Sequence, residues 1–499
     1  MSDRNTIRTF PEITEPLLIT RSAQGKNKRQ IPDPFKAGLP ADLSEFINPE
    51  QATIPDVSEV ETVRHFTRLS RKNFGIDQGM YPLGSCTMKY NPKICEHIAN
   101  RIKNIHPADK LPMHNVLRAL AALQRYLEEI CGMDACTLWP AAGAHGELTG
   151  MLIIRKALQA KGAKRDTVLI PDMAHGTNPA SCAVAGFATR SIPSGKHGFL
   201  EAGTVKEHLD ENVAALMITN PNTLGIFEQE IGEIADLLHA HGSFLYMDGA
   251  NLNAILGITR PGDMGVDCLH VNLHKTFGTP HGGGGPGSGP VLVQAHLEKY
   301  LPIPRIVHEP HQLFKLSYTT PDSIGMVHSS VGNVSVLIKA LVYIVSLGPR
   351  GLLECSKTAA LNANYLRVQL ARCFDLPYKT PTLHEFVLSD KEQKDRGVTT
   401  LDIAKALMDY GFHPPTVYFP LVVPGAIMIE PTETEPLEEL DRFVAAMEEI
   451  ASLTQSNPEV FHDKPKLTPV VRVDEVWAAR NLCLTWSMTE SKPEEEVSK

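Results

Sequence analysis

A lysine lies where a predicted strand ends, and its surroundings suit chemistry on carbonyl compounds. The alternating apolar residues Leu269, Val271 and Leu273 are typical of a strand, which ends just before Lys275 and a glycine-rich loop at residues 282–289. Burial of this ammonium group would lower its pKa and make the nucleophilic neutral amine accessible at about pH 7. The pattern therefore indicates a lysine that forms a Schiff base, with an exposed lysine beside a flexible loop as the plain alternative.

An aspartate ends a second predicted strand. Asp248 closes an apolar run that begins at Phe244. The carboxyl ends of parallel strands face one crevice of an α/β sheet, so we expect Asp248 and Lys275 to converge there. Together they indicate pyridoxal phosphate, because the lysine would hold the aldehyde and the acid would keep the pyridine nitrogen protonated. Taken alone, Asp248 is more typical of a helix cap or a turn.

Two further stretches contain residues that suit the phosphate group and the pyridine ring of pyridoxal phosphate. Small residues, Gly143 and Ala144, precede a long helical pattern, and a helix start of this kind leaves backbone N–H groups open to a phosphate. A loop that needs small residues for packing is an equal alternative. His175 follows another predicted strand, at residues 167–170, where its flat ring could stack on the pyridine, although a structural histidine is the alternative.

Five motifs, in this order, resemble those of the glycine cleavage system P-protein, the decarboxylating glycine dehydrogenase, and in particular subunit 2 of its two-subunit form. They are Tyr-Pro-Leu-Gly-Ser-Cys-Thr-Met-Lys at 81–89, Ala-Gly-Ala-His-Gly-Glu at 142–147, Ala-His-Gly-Thr-Asn-Pro at 174–179, Asp-Gly-Ala-Asn at 248–251 and Asn-Leu-His-Lys-Thr-Phe at 272–277. The resemblance extends from about residue 60 to the C-terminus.

The resemblance implies a fold-type I pyridoxal phosphate-dependent transferase fold and a set of site residues. Lys275 would carry the Schiff base, Asp248 would pair with the pyridine nitrogen, and His175 would stack on the ring. The residues expected to contact the phosphate or to flank the Schiff base are Gly143, Ala144, His145, His274 and Thr276. No metal is implied.

The resemblance also implies an activity and partners. The expected reaction is decarboxylation of glycine with transfer of the aminomethyl group to the lipoyl group of H-protein, and the expected assembly is a two-plus-two heterotetramer with P-protein subunit 1. Another fold-type I enzyme acting on a different small amino acid is one alternative. A non-catalytic interaction subunit is the other, and the presence of Lys275 argues against it.

Some positions depart from the family pattern. Met326, His328 and Val331 stand where Arg, Arg and Tyr are expected, and Trp139 replaces a common Gln. The loss of guanidinium groups would remove anchors for a carboxylate or a phosphate. Either the substrate side of the pocket has changed, or these positions serve the subunit interface.

Composition agrees with a cytoplasmic enzyme. The chain has 499 residues, 42% of them hydrophobic, which is enough for two or three domains. A net charge of −9 gives no basic surface for nucleic acid, and nine cysteines without a C-x-x-C pair favour free thiols in a reducing compartment. The N-terminus lacks an apolar signal core, and no uninterrupted apolar run approaches the roughly 18 residues of a membrane span.

The pattern along the chain predicts three parts. Residues 1–58 are read as an extended N-terminal arm, residues 59–351 as the cofactor-binding large domain with a leading helical segment, and residues 352–499 as a small α+β domain. Strands and helices alternate between residues 135 and 295, which predicts a mainly parallel sheet covered by helices on both faces. Cys86 and Lys89 resemble a nucleophile and a base, but nearby prolines favour a shaped loop that contacts substrate.

Overall fold

The computed structural model describes residues 15–19, 55, 57–102, 105–106, 109–282, 287–308 and 313–485. Most of the predicted N-terminal arm therefore lies outside the described residues, and the predicted domain boundaries stay predictions. The chain forms two compact units, one of residues 1–78 with 466–499 and one of residues 79–465. The first contains the helices Glu59–Ser70 and Glu475–Arg480.

The second unit is built on a seven-stranded sheet in the order β1-β7-β6-β5-β4-β2-β3. Its strands are β1 (Ala135–Thr137), β2 (Thr167–Pro171), β3 (Ala188–Ile192), β4 (Val213–Thr219), β5 (Phe244–Gly249), β6 (Cys268–Val271) and β7 (Val291–Val293). The five strands from β6 to β3 are parallel, and β7 runs antiparallel to both of its neighbours. The predicted mainly parallel sheet is confirmed.

Alternate residues of the central strands enter different hydrophobic clusters. In β4, Leu216 and Ile218 belong to one cluster and Met217 to another, and in β5 Leu245 and Tyr246 divide in the same way. Successive side chains of a strand point to opposite faces, so both faces of the sheet are buried. The covering helices are Lys93–Ala99, Lys110–Cys131, Gly143–Ala160, Thr177–Val184, Ala202–His208 and Ile231–His241.

One long helix, Val334–Leu370, joins the large sheet to the C-terminal part of the unit. It bends at Gly348, where φ is 61°, and Pro349 follows. Leu337 packs in the cluster on the large sheet and Leu366 in the C-terminal cluster. Within the described part of the chain, it is the one helix long and apolar enough to cross a membrane by length and composition, and its apolar residues contribute to these two protein cores.

The C-terminal part contains a three-stranded antiparallel sheet in the order β10-β12-β11. The strands of this sheet are β10 (Phe386–Ser389), β11 (Thr416–Val417) and β12 (Ala426–Ile429), and the helices around it are Lys391–Lys394, Thr400–Asp409 and Leu437–Ser456. Two short strands earlier in the chain, β8 (Arg305–Val307) and β9 (Lys315–Ser317), pair with each other.

Candidate active site

A cavity of about 200 Å³ lies at the carboxyl ends of β4, β5 and β6. Six of the residues predicted from the sequence line it, namely Gly143, Ala144, His175, Asp248, His274 and Lys275. The other lining residues are Ser85, Glu147, Thr177, Thr219, Thr223, Ala250, His270 and Asn272. His145 and Thr276, also predicted, do not line this cavity.

Asp248 is buried at the end of β5 and is held by hydrogen-bond donors on both oxygens. Asn178 Nδ2 donates to Oδ2 at 2.9 Å, and the backbone N–H of Ala250 donates to Oδ1 at 2.9 Å. Burial alone would raise the pKa of this carboxyl. The charges of His270 and Lys275, together with these hydrogen bonds, outweigh burial and lower its pKa below the usual range. The carboxylate is therefore ionised at neutral pH.

His270 connects Asp248 to the interior of the sheet. Burial raises the pKa of Tyr246 well above its ordinary value, so its hydroxyl keeps its proton, and it lies within hydrogen-bond distance of His270 Nδ1, at 2.8 Å. Asn272 Oδ1 can only accept, so His270 Nε2 carries a proton, donates to it at 2.9 Å and lies 3.3 Å from Asp248 Oδ1. This chain fixes the orientation of the carboxylate.

Glu147, which lines the cavity, is hydrogen-bonded to the buried Asn178. Asn178 Nδ2 donates to Glu147 Oε2 at 3.1 Å as well as to Asp248, and Thr177 Oγ1 donates to Glu147 Oε1 at 2.8 Å. Ser181 Oγ donates to Glu147 Oε2 at 3.2 Å. These bonds tie the helix Thr177–Val184 to the helix that carries Glu147, and so they position the residues beside the cavity.

His175 is exposed at the rim of the cavity. His175 Nδ1 lies 3.2 Å from the backbone nitrogen of Thr177 and 2.8 Å from Thr177 Oγ1, so Thr177 fixes the orientation of the imidazole. The ring meets Phe419 edge-on, with 5.7 Å between ring centroids. His175 thus lies at the rim of the cavity with its ring against Phe419.

The helix Gly143–Ala160 begins at the cavity without a side-chain cap. A Cβ at Gly143 would lie 2.0 Å from Asn272 Nδ2, so only glycine fits this approach. The imidazole of His145 turns away to accept the backbone N–H of Ala141 at its Nδ1, at 3.1 Å. The uncapped N–H groups at this helix start suit an anion.

Lys275 lies half-buried in the short helix Leu273–Thr276, directly after β6. Two polar atoms next to it in the chain are buried and have no hydrogen-bond partner among the described residues, His274 Nδ1 and Thr276 Oγ1. Burial lowers the pKa of His274 to about 3, so its imidazole is neutral. Unsatisfied buried polar atoms beside a cavity are typical of a site that receives a polar ligand.

The loop at residues 81–89 contains two potentially reactive side chains, Cys86 and Lys89, and the structure accounts for both. Lys89 Nζ is buried, 2.5 Å from Glu433 Oε1, and it also donates to Asn253 Oδ1 at 2.7 Å. Burial raises the pKa of the Cys86 thiol to about 11, so it is not a thiolate at neutral pH. The loop interpretation is favoured over a nucleophile and base, and Ser85 brings the loop to the cavity.

The residues that depart from the family pattern lie outside this cavity. Trp139 is buried and donates its indole N–H to Pro304 O at 2.5 Å, and Val331 is buried in the hydrophobic core. Met326 is 51% exposed. His328 accepts the backbone N–H of Ser330. These positions do not shape the described wall around Lys275.

The fold is similar to that of several solved enzymes. A glycine decarboxylase (P-protein) of the glycine cleavage system in inhibitor-bound form aligns with a TM-score of 0.67 at 21% identity, covering 87% of this chain and 98% of that chain. Glutamate decarboxylase from Lactobacillus brevis gives 0.64 at 14% identity over 83% and 97% of the two chains. At these identities the likeness establishes the fold alone, which is that of the fold-type I pyridoxal phosphate-dependent enzymes.

Comparison of sequences is more specific. Residues 29–312 match the family described as glycine cleavage system P-protein, and residues 355–464 match the glycine dehydrogenase C-terminal domain. A probable glycine dehydrogenase (decarboxylating) subunit 2 from Chloroherpeton thalassium is 48% identical over 493 residues, covering 96% of this chain and 99% of the relative. One of the same description from Pyrococcus horikoshii is 49% identical, covering 95% and 96%. The chain belongs to the glycine cleavage system P-protein family, as the sequence motifs indicated.

Proposed function

We propose that this chain, together with a P-protein subunit 1, catalyses the pyridoxal phosphate-dependent decarboxylation of glycine and passes the aminomethyl group to the lipoyl group of H-protein. The observation that carries this proposal is the convergence of Lys275, Asp248 and His175 on one cavity in a chain that aligns with its relatives over nearly its whole length.

The cavity fits pyridoxal phosphate in three respects. The uncapped start of the helix Gly143–Ala160 offers N–H groups to a phosphate. Asp248 is an ionised acceptor for a protonated ring nitrogen. His274, which lines the cavity, has a buried Nδ1 without a hydrogen-bond partner among the described residues. When bound, the cofactor supplies an electron-withdrawing ring that stabilises the substrate carbon from which carbon dioxide departs.

Three residues of this chain have separate roles in the proposed reaction. Lys275 Nζ would be the point of covalent attachment of the cofactor. Asp248, fixed by Asn178 and His270, would hold a proton on the ring nitrogen. The imidazole of His175, at the rim of the cavity, would stack on the ring and restrict the access of water.

Neither alternative drawn from the sequence is favoured by a specific observation. A non-catalytic subunit has no need for an ionised Asp248 and a lysine in one cavity. A changed substrate would be expected to alter residues that line the cavity, whereas Met326, His328, Val331 and Trp139 lie outside it.

The test of the function is Lys275→Ala, with Lys206→Ala, an exposed lysine in the helix Ala202–His208, as the matched control. Each variant is assembled with subunit 1, pyridoxal phosphate, lipoylated H-protein and glycine. We expect Lys275→Ala to lose both the visible absorbance of the attached cofactor and glycine-dependent bicarbonate exchange, and Lys206→Ala to keep both. Exchange at the wild-type rate in Lys275→Ala would refute the role of this lysine.

The assembly is tested separately by light scattering of the chain with and without subunit 1. We expect a two-plus-two heterotetramer with full activity, whereas the chain alone binds the cofactor and decarboxylates glycine poorly. Full glycine-dependent exchange by the purified single chain contradicts the need for a partner.

A further inference from the structure

A buried lysine donates a hydrogen bond to the helix that carries Lys275. Lys89, the last residue of the loop at residues 81–89, is 2% exposed, and its Nζ donates to the backbone oxygen of Thr276 at 3.1 Å. Thr276 ends the helix Leu273–Thr276 and directly follows Lys275. The carbonyl of the last residue of a helix has no N–H partner within that helix, so Lys89 supplies the donor that this carbonyl needs.

The three protons of the Lys89 ammonium group have three acceptors on separate parts of the chain. Besides Thr276 O, they are Glu433 Oε1 at 2.5 Å and Asn253 Oδ1 at 2.7 Å. Asn253 Nδ2 in turn donates to Glu433 Oε2 at 3.1 Å. Burial alone would raise the pKa of Glu433, but the charge and the hydrogen bond of Lys89 outweigh burial and lower it. The ionised carboxylate therefore fixes Lys89 Nζ next to Thr276.

The residues just after Thr276 are held from the same direction. Asn91 Nδ2 donates to Gly278 O at 3.0 Å. The φ of Gly278 is 58°, and a Cβ there would lie 2.7 Å from Tyr343 Cε2 and 3.6 Å from Lys89 Cδ. Tyr343 also places its hydroxyl oxygen 3.3 Å from Lys89 Nζ. Residues 89–91 and Tyr343 therefore hold the backbone that follows Lys275.

The loop that carries Lys89 is itself anchored by two buried glutamates. The backbone N–H of Ser85 donates to Glu385 Oε2 at 2.7 Å, and that of Thr87 donates to Glu430 Oε2 at 2.8 Å. Thr87 Oγ1 donates to Glu430 Oε1 at 2.6 Å. Glu385 precedes β10 and Glu430 follows β12. The position of Lys89 is therefore set by the three-stranded sheet.

The helix Leu273–Thr276 needs outside support because it has only four residues. Two hydrogen bonds between residues four apart close the turn, at 3.2 Å and 3.1 Å. A single turn of helix is not stable by itself in water. A shift of this turn would move Lys275 relative to the cavity, and a misplacement of about 1 Å can slow a reaction about a hundredfold.

We propose that Lys89 is a positioning residue for Lys275, because it holds the end of the short helix and so directs the side chain of Lys275 into the cavity. The inference rests on the proposed function, in which Lys275 is the point of attachment of the cofactor. Attachment joins the neutral amine nitrogen to the aldehyde carbon of pyridoxal phosphate, and the aldehyde oxygen leaves as water with both hydrogens of the amine. Lys89 exchanges no atoms in this step and acts through the backbone of Thr276.

A purely structural role for Lys89 makes a different prediction. Its ion pair with Glu433 also joins the loop to the segment after β12, so its loss would weaken the fold as a whole. Every ligand of the cavity would then bind less tightly, whether or not it reacts with Lys275. If Lys89 positions Lys275, the reaction with the aldehyde is impaired and the binding of an unreactive ligand is not.

The experiment compares pyridoxal phosphate with pyridoxine phosphate, which has an alcohol in place of the aldehyde and does not react with a lysine. The variant is Lys89→Met with Glu433→Gln, because Lys89→Met alone leaves a buried carboxylate without its cation. We expect attachment of pyridoxal phosphate, followed by absorbance, to slow about tenfold to a hundredfold. The dissociation constant of pyridoxine phosphate, measured by calorimetry, should stay within about twofold of the wild-type value.

Lys464→Met is the matched control, because Lys464 Nζ forms another ion pair with a buried carboxylate, 2.9 Å from Asp409 Oδ2. Attachment should proceed at the wild-type rate in this variant. Attachment at the wild-type rate in the double variant overturns the proposal. An equal loss of attachment and of pyridoxine phosphate binding also overturns it, in favour of the structural role.

A second measurement does not depend on the cofactor. Amide hydrogen exchange of the cofactor-free chain, read by mass spectrometry on the peptide of residues 273–278, should be about tenfold faster in the double variant than in Lys464→Met. Unchanged exchange overturns the positioning role. If wild type did not attach pyridoxal phosphate, the proposed function would fail, and the exchange rates would still decide whether Lys89 holds the turn.

Discussion

Gly143→Ala is the sharpest test of where the cofactor phosphate binds. The new Cβ would lie 2.0 Å from Asn272 Nδ2 and 2.9 Å from its Cγ, so the amide of Asn272 must move by about 1.5 Å to reach an ordinary contact distance. That amide oxygen accepts the Nε2 proton of His270, which also lies beside Asp248. The substitution therefore disturbs both the helix start and the support of the carboxylate.

The expected change in affinity for pyridoxal phosphate combines one stabilising and two destabilising contributions to the free energy. Alanine in place of glycine in a helix stabilises by about 0.5–1 kcal/mol. Overpacking of a close contact costs about 1–3 kcal/mol. Loss of one buried hydrogen bond costs about 1–3 kcal/mol more. The net effect is unfavourable, and if about 1.4–2.8 kcal/mol of it falls on the bound state, affinity for pyridoxal phosphate drops about tenfold to a hundredfold.

The assay is a titration with pyridoxal phosphate followed by absorbance, alongside urea unfolding of the cofactor-free chain. Gly232→Ala is the matched control, because Gly232 lies in the first turn of Ile231–His241 and a Cβ there meets nothing within 4 Å. We expect the control to bind normally, and Asn272→Ala to restore part of the affinity lost in Gly143→Ala. Wild-type affinity in Gly143→Ala would refute the placement of the phosphate at this helix.

Three further results are expected. Asp248→Asn should leave the fold intact and reduce turnover, measured by bicarbonate exchange, because a neutral amide cannot keep the ring nitrogen protonated; unchanged turnover would give Asp248 another role. Lys89→Met should lower the free energy of unfolding by about 3–5 kcal/mol, since it leaves Glu433 buried and unpaired, and a loss below about 1 kcal/mol in urea unfolding would contradict this. His274 and His384 have pKa values of about 3 when folded against 6.5 for free histidine. The unfolded chain then binds more protons below pH 6.5, so urea unfolding should show stability falling from there toward pH 3 by up to about 1.4 kcal/mol per pH unit for each histidine.

The sequence predicted the parts of the site that depend on strand ends. Lys275 and Asp248 follow the apolar alternation of β6 and β5, and parallel strands deliver their carboxyl ends to one edge. The strand β3, Ala188–Ile192, has no apolar alternation, because its mostly polar residues are largely exposed at the edge of the sheet. Alternation of apolar and polar residues identifies a strand only where one face of that strand is buried.

The supporting residues were missed for a different reason. Glu147 and Asn178 lie within quoted motifs, yet their roles depend on the meeting of two helices, and no local pattern reports that contact. Glu385 and Glu430 contact backbone groups 300 and 343 residues earlier in the chain. A search for acidic residues at the ends of the small sheet would have given candidates, but not the loop they hold.

The charge of Lys275 lowers the pKa of carboxyl groups that lie in two different environments. Asp248 receives hydrogen bonds from Asn178 and Ala250, and its pKa is lowered despite burial. One oxygen of Glu385 lies within 4.8 Å of one oxygen of Glu430, and the pKa values of both carboxyl groups are raised, chiefly by burial. Carboxyl groups whose proton affinities are pushed apart in this way can divide the roles of anion and acid at one pH. The ionised Asp248 suits retention of positive charge on a ring nitrogen, whereas the pKa values of Glu385 and Glu430 are raised chiefly by burial.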